Sequence, residues 1–203
     1  MGAMPNEINA DARRQEILRI ATRIFAENGY STTTMEQVAK EVGFTKPIIY
    51  QHFASKDALY SEIVATTAEK LIASLQHATA GEQTPRERVE SAFRVYFDLV
   101  VQESDAFRVL FLQAGSNEHR HQLRAVEVGL VSFIEPLLNE ELDDEHRREL
   151  AGGVVGMAEG AAVVWLVRQA RLGWPEPTPD QAKTLAKRIA TLAWGGLRAT
   201  AQR

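Results

Sequence analysis

The chain reads as an all-α protein of about nine helices in two parts. Three observations lead there. Apolar residues recur at spacings of three and four along most of the chain. Helix starts and stops are written at intervals by capping residues, prolines and glycines. No segment shows the period-two alternation of a half-buried strand.

Taken in order, Ile17, Ile20, Ala21, Ile24 and Phe25 form one apolar stripe and predict a first helix from about Asp11 to Asn28. Gly29 follows at the position where a left-handed cap costs glycine least. Thr34-Met35-Glu36-Gln37 is a capping box opening a short second helix that stops at Gly43. Thr45-Lys46-Pro47 opens a third, with proline in the first turn. Ser55 caps a fourth, from Lys56 to about Ala78. Thr84-Pro85-Arg86-Glu87 starts a fifth, reaching about Gln102, and a shorter helix covers Asp105 to Ala114. Asn117 caps the next, to about Glu141, with Pro136 marking a kink or an early end. Asp143 or Asp144 begins a long helix to Leu172, and Thr178-Pro179-Asp180-Gln181 opens the last, to about Thr200.

Composition narrows the function. The 203 residues contain no cysteine, which excludes disulfides, thiolate zinc sites, iron–sulfur clusters and cysteine nucleophiles. The net charge of −4 argues against wholesale polyanion binding but leaves room for a local DNA-binding face. Residues 1–60 carry seven Lys/Arg and seven Asp/Glu, so the excess acid lies beyond them. Met1 to Ala3 read as an appended leader before a native Met4, and residues 1–10 as a disordered tail. No apolar leader segment is visible, and the cytoplasm is the expected compartment. The apolar run Leu150 to Val167 approaches the length of a membrane span, but Glu159 at its centre and its Gly/Ala content point to a buried helix and no membrane. His119 and His121 lie on different helix faces and make a poor chelate, so no metal site, no cofactor and no catalytic residue is assigned. Walker loops, dinucleotide fingerprints and nucleophile elbows are absent, so an enzyme is not expected.

The informative block is Thr33 to Tyr60. Two short helices are joined at Val42-Gly43-Phe44, a helix-turn-helix arrangement whose second helix can enter a major groove. Met35, Val38, Ala39 and Val42 face inward on the first. The second gathers Lys46, Tyr50, Gln51 and His52 beside apolar Ile48, Ile49 and Phe53, groups able to hold phosphates and read base edges.

Residues 11–60 resemble the DNA-binding domain of TetR-family transcriptional regulators. The matching positions are Ile17, Ala21, Phe25 and Gly29-Tyr30; Thr34, Val38, Ala39 and Gly43; and Lys46-Pro47, Tyr50, His52-Phe53, Lys56 and Leu59. The resemblance implies that Thr34 touches a phosphate and that Thr45, Lys46 and Pro47 start the groove-facing helix. It implies that Tyr50 and His52 hold phosphates and that Lys56 contacts the backbone. Ile48 departs from the small or hydroxylated residue often found there; it can pack on a thymine methyl. The implied division is a DNA-binding domain over 11–54 and a sensing and dimerisation domain over 55–203.

The second part resembles the family in helix order. Phe93, Tyr96 and Phe97, then Phe107 and Phe111, then Met157 and Trp165 are the candidate lining of an apolar ligand site, with Arg108 and Glu159 as its polar groups. Gly152, Gly156 and Gly160 fall at four-residue spacing, and Leu185, Ile189, Leu192 and Leu197 make a stripe on the last helix. The resemblance implies a homodimer through the last two long helices, binding a palindromic double-stranded operator and released by a small-molecule effector. Tyr-Gln-His-Phe at 50–53, Gly-Met-Ala-Glu-Gly at 156–160 and Ala-Trp-Gly-Gly-Leu at 193–197 are similar to actinobacterial TetR-type regulators of lipid metabolism, some of which sense acyl-coenzyme A. Effectors of other relatives include cyclic dinucleotides and drugs. The alternative from another class is a helical ligand-binding protein without DNA function.

Overall fold

The computed structural model describes residues 5–112, 117–138, 141–173 and 175–200. Nine α-helices run in order: α1 Pro5–Asn28, α2 Met35–Val42, α3 Lys46–His52, α4 Lys56–Ala80, α5 Pro85–Gln102, α6 Ser104–Phe111, α7 Asn117–Ile134, α8 Asp144–Leu172 and α9 Pro179–Thr200. One 3-10 turn, Glu135–Leu137, follows α7, and no strand occurs among the described residues.

The written punctuation is realised atom by atom. Thr34 Oγ1 accepts from the Gln37 N–H at 3.2 Å while the Thr34 N–H donates to Gln37 Oε1 at 2.8 Å. The same reciprocal pair forms between Thr84 and Glu87 and between Thr178 and Gln181. Gly43 ends α2 at φ 78°, a left-handed conformation that a side chain would strain.

Two boundaries differ from the sequence expectation. The segment expected as tail is helical from Pro5, because proline is harmless in a first turn and no helix breaker follows before Asp11. α7 stops at Ile134 rather than reaching Glu141, because Pro136 lacks the N–H a continuing helix needs, and the chain closes a 3-10 turn instead. The expected end of α6 at Ala114 lies outside the described residues, as do Met1 to Ala3.

The chain divides into two compact units. The first is Met1–Thr67 with Asp105–Gln122; the second is Ala68–Ser104 with Leu123–Arg203. In the first, the α1 stripe of Ile17, Ala21, Ile24 and Phe25 packs with Val38 and Ala39 of α2, Ile49 of α3 and Phe53, all buried. Tyr60 is buried there too; its ring meets Phe25 and Tyr30 edge-on, its hydroxyl donates to the Val109 carbonyl at 3.0 Å, and burial pushes the phenol up to about 12.

In the second unit α9 lies along α5 through a buried row of Ala182, Ala186, Ala190 and Ala193. Residues with a single methyl let two helix backbones approach closely. α8 packs on both α5 and α9. Among the described residues, α8 is the one helix long and apolar enough to cross a membrane by length and composition alone.

Candidate nucleic-acid interface and effector cavity

The geometry of α3 follows from its spacing. Ile49 and Phe53, four apart, are buried and fix the helix to the first unit's core. The opposite pairs, Lys46 with Tyr50 and Pro47 with Gln51, are exposed, as is Thr45 at the cap. Tyr50 keeps 43% of its surface exposed. Ile48 and His52 are half-buried at the edge of this row. The nine residues read from sequence as DNA contacts thus include five exposed on one short helix and its cap, two at its margin, and Thr34 and Lys56 elsewhere in the unit.

Several of these side chains have partners that the sequence did not announce. Lys46 forms an ion pair with Glu36 of α2, which raises the ammonium and lowers the carboxyl from their ordinary values; its Nζ also lies 5.8 Å from the centre of the Tyr50 ring. Lys56 donates to the carbonyls of Tyr30 at 2.8 Å and Thr33 at 2.9 Å and sits 4.3 Å over the Tyr30 ring. Two of its three protons therefore hold the α1–α2 connection against the start of α4. Tyr30 in turn bonds Asp57, and burial followed by that carboxylate raises its phenol.

Arg14 escaped the sequence reading. Its Nη1 donates to the His52 carbonyl at 2.8 Å, its guanidinium lies 4.4 Å over Phe53, and it pairs with Glu62 at 2.9 Å. A cation at the open carbonyls of a helix C-terminus is a favourable placement, and here it clamps the end of α3. The signal available was weak: one arginine outside the α1 apolar stripe.

In the second unit, Leu75 of α4, Ala92, Phe93 and Tyr96 of α5, Leu130 and Ile134 of α7, and Val154, Val155 and Ala158 of α8 enclose a cavity of about 40 Å³. Of the residues read as ligand-binding, Phe93 and Tyr96 line it. Phe97 is buried beside them, its ring 5.3 Å from Tyr96 and 6.0 Å from Trp165. Glu159 follows Val155 by one turn; its Oε1 is buried without a hydrogen-bond partner, and burial, then repulsion by Glu127, pushes its carboxyl up to about 7. The Tyr96 phenol is raised by burial and by the Glu159 charge. Met157 is half-buried on α8 and does not line the cavity. Phe107, Arg108 and Phe111 belong to the first unit, where Phe107 is buried against Phe111 and Arg108 pairs with Asp105 at 3.0 Å. Leu75, Leu130 and Ile134 are lining residues that sequence did not single out, since an aliphatic residue at helical spacing looks the same in a packed core.

Residues 17–63 match the model of the bacterial regulatory proteins of the tetR family. The match runs from within α1 to within α4 and takes in the helix-turn-helix of α2 and α3. The chain as a whole is similar over most of its length to transcriptional regulators. Over 196 residues, 95% of this chain and 86% of the relative, it is 25% identical to the HTH-type transcriptional activator FasR of Mycolicibacterium smegmatis. A TetR-like transcriptional regulator from Rhodococcus sp. RHA1 superposes with a TM-score of 0.72 at 25% identity, covering 92% of this chain and 96% of that one. The regulator FadR from Bacillus subtilis, solved in complex with stearoyl-CoA, has the same fold, with a TM-score of 0.70 at 19% identity over 88% and 96% of the two chains. The relatives are transcription regulators rather than enzymes, in keeping with a sequence that lacks catalytic motifs.

The exposed row of α3 lies opposite buried Ile49 and Phe53, while Arg14 ties the end of α3 and Lys56 ties the α1–α2 connection within the same unit.

Proposed function

We propose that this protein is a ligand-responsive transcriptional repressor. It binds a palindromic operator as a homodimer in the cytoplasm and is released by an apolar small molecule, acyl-coenzyme A or another lipid metabolite. The observation that carries the reading is the division of α3 between buried Ile49 and Phe53 and exposed Lys46, Pro47, Tyr50 and Gln51. Thr34, Thr45, Lys46, Tyr50, His52 and Lys56 serve phosphates, and Pro47, Ile48 and Gln51 meet base edges. The second-unit cavity takes the effector's apolar part. FadR's stearoyl-CoA supports that class, and FasR's name as an activator makes the sign of regulation a point to measure.

Support for the dimer comes from α8 and α9. A Cβ added at Gly152, Gly156 or Gly160 would meet no atom within 4 Å, so this face is open in the single chain. Val164, Leu172 and Leu192 are large apolar residues left exposed on the same two helices, Leu172 and Leu192 at 64% and 63%. A second copy covering them would be read as a dimer in sedimentation at micromolar concentration; a monomer refutes this part.

Selection of bound sequences from random duplex DNA tests the whole. A palindrome with half-sites about one helical turn apart is expected. Binding should fall steeply with salt, and Lys46→Ala should lower the slope by about two per dimer, one per lost phosphate contact. No enrichment at low salt would refute DNA recognition and favour a ligand-binding protein.

A further inference from the structure

Resting on the reading of the second-unit cavity as an effector site, we propose that the effector presents a nitrogen-bound hydrogen, from an ammonium or an amide, to Glu159 and Glu127, and that the site rejects free carboxylates. Every residue lining the cavity is apolar or aromatic, so the body of the ligand receives no polar instruction there. Two carboxylates neighbour the lining residues along their helices. Glu159 stands one turn beyond Val155 on α8, and Glu127 one turn before Leu130 on α7, both on the registers that supply the lining. The hydroxyl-bearing ring of Tyr96 lines the cavity from α5 and lies within the field of Glu159.

Ionised carboxylates only accept hydrogen bonds. Glu159 Oε1 is buried and makes no hydrogen bond among the described residues, and the second carboxylate nearby repels it. A carboxyl held up to about 7 by burial and by Glu127 is the energetic sign of that shortage. A ligand that supplies an N–H removes both penalties. A ligand that ends in a carboxylate adds a third negative charge to a desolvated place. The cavity of about 40 Å³ corresponds to about three water positions, so a short alkyl chain is the right first probe.

The test is calorimetric titration of the full chain at pH 8 with hexylamine, hexanamide and hexanoate, three ligands of one chain length. The amine and the amide separate the two sources of the N–H. At least one should bind at least about tenfold more tightly than hexanoate, in line with a charge-assisted hydrogen bond. Glu159→Gln should cost the amine about tenfold, leave the amide within about threefold, and improve hexanoate; Glu127→Gln should act in the same direction, which guards against one variant failing to fold. Hexanoate binding as tightly as the others, or amine binding indifferent to both variants, overturns the headgroup inference while the cavity stands. Binding of none of the three, in protein that still binds its operator, overturns the inference together with the effector cavity itself.

Discussion

Glu159 also makes a prediction about the empty protein. Its carboxyl moves from an ordinary 4.5 to about 7 on folding, mainly through burial and then through Glu127. At about 1.36 kcal/mol per pH unit, the full difference is about 3.4 kcal/mol. The side chain is only half-buried, so solvent screening cuts this to about 1.5–2 kcal/mol. The sign follows from proton counting. Between pH 4.5 and 7 the folded chain holds a proton that the unfolded chain has released, so stability falls as pH rises through that window and stays low above it. Glu159→Gln removes the ionisation without changing the shape. At pH 8 the variant should therefore melt higher by about 3–8 °C, at 2–4 °C per kcal/mol for a chain of this size. At pH 4.5 the two proteins should melt together. Thermal unfolding followed by circular dichroism at half-unit pH steps measures both profiles. Parallel curves for wild type and variant, or a variant that melts lower at pH 8, would refute the claim that this carboxylate is desolvated at the expense of the fold.

Other consequences follow from the first unit. Glu36→Gln releases Lys46 and removes a negative charge beside the recognition row, so operator affinity at low ionic strength should rise about threefold to tenfold, and the gain should shrink with salt; anisotropy titration at two salt concentrations reads it. Lys56→Met leaves the Tyr30 and Thr33 carbonyls without their donor and should cost about 2–3 kcal/mol in urea unfolding; an unchanged midpoint would remove Lys56 as a tie. Arg14→Gln should weaken operator binding about tenfold without changing the salt slope, because it acts on the position of α3 rather than on a phosphate; a slope reduced by about two would make Arg14 a direct contact.

The helix-turn-helix was legible because its backbone signals are local. A capping box at Thr34, a glycine at the end of α2 and a proline in the first turn of α3 each specify backbone geometry within four residues. Once those ends are placed, helix periodicity alone assigns Ile49 and Phe53 inward and Lys46 and Tyr50 outward. What stayed hidden there is long-range: Arg14 reaches a carbonyl 38 positions away, and Lys56 reaches two that are 26 and 23 positions away. A cation's sequence neighbours carry no trace of such partners, and both were open to being read as ordinary surface or phosphate-binding charges.

The second unit is less legible because apolarity there has more than one destination. On α9 the leucine stripe stands out in sequence, yet the buried row against α5 is alanine, which propensity alone would place on any face. Leu185, Ile189, Leu192 and Leu197 are left half-buried or exposed, and a face that apolar on a soluble helix asks for a cover. The aromatic residues divide the same way: Phe97 and Trp165 pack on each other, while Phe93 and Tyr96, on the same helix as Phe97, line the cavity. Spacing cannot separate these outcomes, since a packed ring and a cavity-lining ring obey the same period. The one position where sequence pointed past the core was Glu159, because a carboxylate in the most apolar run of the chain has an energetic cost that a core residue lacks. That cost is what the structure makes specific: it places a carboxylate with a buried, unpartnered oxygen one turn from a lining residue of an apolar cavity, near a second carboxylate. An apolar side chain at 159 would carry no such cost, and a ligand N–H at the proposed site would remove it, so the same desolvation that weakens the empty protein would strengthen the bound one.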